Sequence, residues 1–194
     1  MAISKTSHPA LYRASQFFVA LYACLPGVKG RLSGEDETLV ASILTSPEQQ
    51  QLFARMSPND QRHAVAVART LRQAGYHHPA LMQAALLHDV AKSLGQPIIH
   101  RVLIVLLEAL WPAALHRLSS SQPTSSLRPS RSSPLTRPFI IHAQHPAIGA
   151  TWAQQAGCDA LAVTLIAKHQ DKLSSAATEE QELLAVLQWA DNLN

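Results

Sequence analysis

Six side chains able to bind a metal ion are spread along the chain: His63, the adjacent pair His88 and Asp89, His145, His169 and Asp191. Imidazole nitrogen and carboxylate oxygen suit Fe, Mn, Zn or Mg, and donors this far apart make a centre only if separate helices bring them together. That is the chemistry of a catalytic site and not of a local metal clip. The thiols Cys24 and Cys158 have no CxxC spacing, which argues against a thiolate zinc site or a disulfide scaffold.

The chain has 194 residues and is 47% apolar, enough for one well-packed domain. Its formal charge of +3 and pI near 9.1 are mildly basic, but 16 Lys and Arg are too few for a dedicated nucleic-acid binder. No specific nucleic-acid binding is expected, and a small phosphorylated substrate is compatible with this charge. Lys5, His8 and Arg13 interrupt the N-terminus, which lacks an apolar signal core, so a cytoplasmic location is expected. The stretch VLIVLLEALWPAAL (102–115) contains Glu108 and Pro112 and falls short of the roughly 20 residues a membrane span needs. It reads as a buried helix. Trp111, Arg101 and His116-Arg117 leave a peripheral membrane contact by 98–118 as the lesser reading.

Helical periodicity and capping signals divide the chain, and β-type alternation is nearly absent. Leu11, Phe17, Phe18, Leu21 and Leu25 predict a helix over 10–25, with others near 35–45 and near 47–56 behind Ser46 and Pro47. Ser57 and Asp60 start the next, which Gly75 stops, and Pro79 opens one that runs through ALLHDVAK toward Gly95 and Pro97. A helix over 98–118 is broken or kinked at Pro112. Residues 119–138, SSSQPTSSLRPSRSSPLTRP, are too polar to fold and read as a mobile insertion. His145-Pro146 begins a helix that stops at Gly157, Asp159 caps one ending at Lys168-His169, and Thr178 with Gln181 starts the last.

The elements sort the six donors. His63 shares a face with Val67, Leu71 and Ala74; His88 lies in an apolar stripe; and Asp191 follows Leu184 and Leu187 on the inner side of the last helix. A lone inward histidine is more often a hydrogen-bonded core residue than a ligand. Asp89 is different, because a carboxylate on the apolar run ALLHDVAK needs a cation or hydrogen bonds to offset its desolvation. Asp191 carries the added penalty of sitting at a helix C-terminus. His145 and His169 gain weight only from the set.

In this order the set resembles the HD-domain superfamily of metal-dependent phosphohydrolases. The resemblance runs from about residue 57 to 194, through HDVAK (88–92), HPAIGA (145–150), the histidine of LIAKHQD, and WADNLN (189–194). It implies an all-α, HD-domain-like helical bundle over 57–194; residues 1–56 lie outside the resemblance and are expected to form a helical extension packed on that core. By the same resemblance His63, His88, Asp89 and Asp191 are primary metal ligands, and His145 and His169 are the extra histidines of members that hold two ions. The small stand-alone branch that includes bacterial dinucleoside-tetraphosphate hydrolases is similar in its HP-x-x-G-A and A-D-x-L elements. This chain departs from relatives in Ala91, where many have Gly, and in Lys168-His169, where a His-His pair is common.

The activity so implied is hydrolysis of a phosphate ester or anhydride, on a nucleotide or dinucleoside polyphosphate, with one or two divalent ions (Fe, Mn, Mg, Zn, Ni or Co). Asp89 is the expected catalytic bridge between ions, since its carboxylate has two oxygens. Lys92, one turn on, is long enough to meet a phosphate or else to reach solvent, and His142, Arg101 and Arg137 are candidate substrate contacts. Two other readings share the ligand set: a di-iron oxygenase of the same superfamily, and a non-catalytic metal-binding signalling or scaffold protein.

Overall fold

The computed structural model describes residues 32–94, 104, 107, 111–119, 137–173 and 178–194. Among them are eight bounded α-helices, one 3-10 turn and no strand: α1 (Gly34–Ile43), α2 (Pro47–Ala54), α3 (Pro58–Gln73), α4 (Pro79–Leu87), the 3-10 turn Val90–Leu94, α5 (Pro112–Ser119), α6 (Arg137–Gln155), α7 (Ala160–Lys168) and α8 (Glu179–Leu193). The predicted helix over 10–25, Arg101, and residues 120–136 of the Ser/Pro/Arg-rich stretch lie outside the described residues. So does the side chain of Arg137, whose backbone opens α6. No described helix is long and apolar enough to cross a membrane.

Short-range chemistry sets most helix boundaries. Ser33, Ser46, Ser57, Asp159 and Thr178 each accept a hydrogen bond from a backbone N–H in the first turn of the helix they precede, satisfying a donor with no intrahelical partner. Two helices stop on a left-handed glycine, Gly75 (φ 89°) after α3 and Gly157 (φ 72°) after α6. Around them Tyr76 N–H donates to Leu71 O and Gly75 N–H to Arg72 O, and likewise Cys158 to Ala153 and Gly157 to Gln154, the paired bonds of a Schellman motif.

One apolar cluster joins the elements that carry the six donors. Leu71 of α3, Leu81, Leu86 and Leu87 of α4, Leu165 and Ile166 of α7, and Leu184 and Leu187 of α8 are fully buried in it. Leu39, Val40, Leu52 and Phe53 of α1 and α2 belong to the same cluster, so these helices share the core of the later ones. A smaller cluster of Ile104, Leu115 and Phe139 packs α5 on α6 and leaves Trp111 66% exposed beside it.

Two stretches differ from the sequence-based expectation. The helix that opens at Pro79 ends at Leu87, and the chain tightens into the 3-10 turn just after His88 and Asp89. His145 and Pro146 lie inside α6, eight and nine residues from its start, and do not begin it.

α6 packs against this turn at Gly149. A Cβ there would lie 3.4 Å from Val90 Cγ1, 3.5 Å from Ile166 Cγ2 and 3.8 Å from His88 O. Alanine therefore just fits. Gly149→Val is expected to destabilise the fold by about 1–3 kcal/mol through overpacking, measured by urea unfolding, whereas Gly149→Ala should stay within about 1 kcal/mol of the parent.

Candidate metal centre

All six donors meet where α3, the α4/3-10 junction, α6, α7 and α8 converge. His63 Nε2 lies 2.9 Å from Asp191 Oδ1, and His88 Nε2 lies 3.3 Å from the same oxygen. Asp89 stands between two groups: Oδ2 is 3.5 Å from His88 Nε2, while Oδ1 is 3.3 Å from His145 Nε2 and 3.7 Å from His169 Nε2. The last two nitrogens are 3.3 Å apart. The donors thus form two clusters able to hold an ion, His63–His88–Asp89 and Asp89–His145–His169, and Asp89 belongs to both.

The two clusters differ in access. Asp89, His145 and His169 are buried, whereas His63 and Asp191 leave 26% and 34% of their side chains exposed. The first cluster is therefore the one open to solvent.

Three imidazoles are fixed in the same way. His88 Nδ1 donates to Ala85 O (3.0 Å), His145 Nδ1 to His142 O (2.6 Å) and His169 Nδ1 to Ile166 O (2.8 Å). A carbonyl can only accept, so Nδ1 carries the proton in each, and Nε2 of the neutral ring presents a lone pair to the site. The acceptor is always three residues back. Ala85 and Ile166 belong to the last four carbonyls of α4 and α7, which have no intrahelical donor. A further clamp acts on His169: Gln188 of α8 donates through Nε2 to His169 O (3.0 Å) and Asp171 O (2.8 Å).

The electrostatics call for a cation. His88 Nε2 and Asp89 Oδ1 are buried without an aligned hydrogen-bond partner, and such groups are costly to leave unmet. Lone pairs of His145 and His169 also face each other and Asp89 Oδ1 across 3.3–3.7 Å. Burial opposes a charge on His88, but Asp89 and Asp191 outweigh it and push the pKa up to about 9, so a proton there supplies positive charge in the metal-free chain. Burial also works against the Asp89 carboxylate, yet the Lys92 ammonium (2.5 Å from Oδ2) and His88 hold its pKa well below the usual range. Asp191 is lowered too, against burial, by His88 and His63. His169 is pushed down to about 3 and His142 to about 4, in both cases first by burial and then by a neighbouring histidine, which keeps these rings neutral. Nitrogen and carboxylate donors of this kind fit a divalent transition metal or Mg.

The structure brings all six sequence-predicted donors into one region, with Lys92 beside them. His142 lies at its edge, half-buried, with its ring centroid 5.9 Å from that of His145. Sequence reasoning missed Gln188, whose only signal is its position one turn before Asp191, and it misread Pro146 as a helix start. The chain matches no family model, no curated protein and no solved structure. Among the described residues, fold and site define a helical domain with two His/Asp clusters able to hold metal, features of a metal-dependent helical protein.

Proposed function

We propose that the protein is a two-metal phosphohydrolase of the HD-domain type, acting on a phosphate ester or anhydride of a nucleotide or dinucleoside polyphosphate. The observation that carries this reading is Asp89, a buried carboxylate that turns one oxygen to each cluster. Divalent ions bound there supply Lewis acidity toward a phosphoryl oxygen and toward the attacking water. His63, His88 and Asp191 hold the open side, where substrate enters; His145 and His169 hold the closed side and exclude water from it.

Lys92 gives the site a cation for an anionic substrate. Its ammonium neutralises Asp89 in the metal-free chain; with Asp89 holding metal, Lys92 would be free to neutralise phosphate charge. Lys92→Met should therefore shift metal and substrate in opposite directions. Metal affinity rises roughly tenfold as the competing ammonium disappears, and kcat/KM falls about a hundredfold. Titration of the stripped protein with Mn²⁺ and steady-state kinetics measure the two; a loss of metal affinity would remove this role.

The reading is tested by a phosphate-release screen over nucleotides and dinucleoside polyphosphates, run anaerobically with Mn²⁺ or Mg²⁺. Turnover without O₂ supports it and separates it from oxygenase chemistry. Absence of ion-dependent phosphate release from every substrate, in a protein with fewer than one bound ion per chain, would overturn it.

A further inference from the structure

Pro146 is buried in the interior of α6, where a proline removes one bond of the helix ladder. In a regular helix the N–H of residue 146 would donate to the carbonyl of residue 142. Proline has no N–H, and its ring crowds the carbonyl four residues back, tilting it off the helix axis. That carbonyl is His142 O, the acceptor for His145 Nδ1 at 2.6 Å.

His88 and His169 find an unused carbonyl because each follows a helix end. His145 has no helix end nearby: α6 continues for ten residues beyond it. We propose that Pro146 is a positioning residue, which creates inside α6 the free carbonyl that a helix terminus provides elsewhere and so fixes the His145 Nδ1–H tautomer, with Nε2 bare toward Asp89 and His169. A carbonyl can accept two bonds, but a ladder bond would align His142 O with the helix axis and away from the imidazole, so a donor at 146 competes with the ring. The metal consequence rests on the two-ion reading above; the tautomer consequence does not.

The test is Pro146→Ala, with Pro146→Gly as a second variant that adds the same N–H without the helix-favouring methyl. In metal-free protein, ring ¹⁵N shifts report the His145 tautomer: Nδ1–H is expected in the parent, and loss of that signature in both variants. Restoring the ladder bond should raise the Tm of metal-free Pro146→Ala by about 2–6 °C. On titration with Mn²⁺, the ion at His145–His169 is expected to bind at least about tenfold more weakly in both variants, with the other ion within about twofold of the parent. A gain in fold stability with a loss at one metal site is a pairing that a purely structural proline does not produce. The proposal is overturned if both variants keep the parental His145 tautomer, or if the two ions weaken equally. Should the parent bind no second ion while the tautomer changes as expected, the two-ion reading fails and the role of Pro146 stands.

Discussion

Asp89→Asn is expected to abolish binding at both clusters at once. Its oxygens face His88 and Lys92 on one side and His145 and His169 on the other, so no other single donor is common to the two groups. An amide of the same shape keeps the packing but removes the charge, and its NH₂ places protons where a ligand lone pair is needed. On the two-metal reading proposed above, metal content should fall from two ions per chain to below about 0.2, and ion-dependent turnover by at least roughly a thousandfold. His63→Ala, at the half-exposed edge, should weaken only the open site. The metal-free fold is also affected, because Lys92 and His88 lose the carboxylate that balances them: a destabilisation on the order of 3 kcal/mol is expected. Elemental analysis after gel filtration and urea unfolding measure the two effects. Retention of one tightly held ion in Asp89→Asn would show that the clusters do not share this residue.

The stability of the metal-free protein is expected to be bell-shaped in pH, with its maximum near pH 6.5. His88 titrates at about 9 in the folded chain against 6.5 for an unperturbed histidine. The folded state therefore retains a proton that the unfolded state releases, and the stabilisation is complete below 6.5 and lost as pH rises to 9. That limb amounts to about 3 kcal/mol, or on the order of 5–10 °C in Tm for a chain of this size. The acid limb has the opposite origin. His169 and His142, lowered to about 3 and 4, refuse protons that the unfolded chain accepts below 6.5, so stability falls as pH drops. Asp89 and Asp191 add to that loss in stronger acid.

A divalent ion held by His88 would take over the role of its proton. The alkaline limb should then vanish from thermal melts of the Mn²⁺ form, and metal binding below pH 9 should release a proton, detectable by calorimetry in buffers of different ionisation enthalpy. An alkaline limb of equal height with and without Mn²⁺ would contradict this assignment.

What could be read from the sequence follows the range of the forces involved. Ser46, Ser57, Asp159 and Thr178 mark helix starts because a cap is a bond between a side chain and a backbone group two or three residues away. Gly75 and Gly157 mark stops because their left-handed φ is a local demand. The end of α4 was not legible, since nothing between Leu86 and Lys92 breaks a helix. It is set by tertiary packing, with the 3-10 turn lying against α6 at Gly149. The start of α6 was hidden because Pro146 has the form of an N1 proline, whereas in the fold it sits mid-helix.

The donors were legible as a set through type, order and inward placement. Their division came only through the family resemblance, which sets His145 and His169 apart from the other donors and makes Asp89 the bridge; no local pattern gives it, and that one group is closed while the other is open appears only in the fold. Those are long-range relations. Lys92 could be placed one turn from Asp89, and its ion pair with that carboxylate spans the start of the 3-10 turn.

Anomalous diffraction from Mn²⁺-loaded crystals, recorded on both sides of the manganese edge, tests the two-metal site most directly. Two peaks are expected astride the Asp89 carboxylate, one against His63, His88 and Asp191 and the other against His145 and His169. Full occupancy of only one cluster, or peaks confined to surface carboxylates with Asp89 still paired to Lys92 alone, would contradict it.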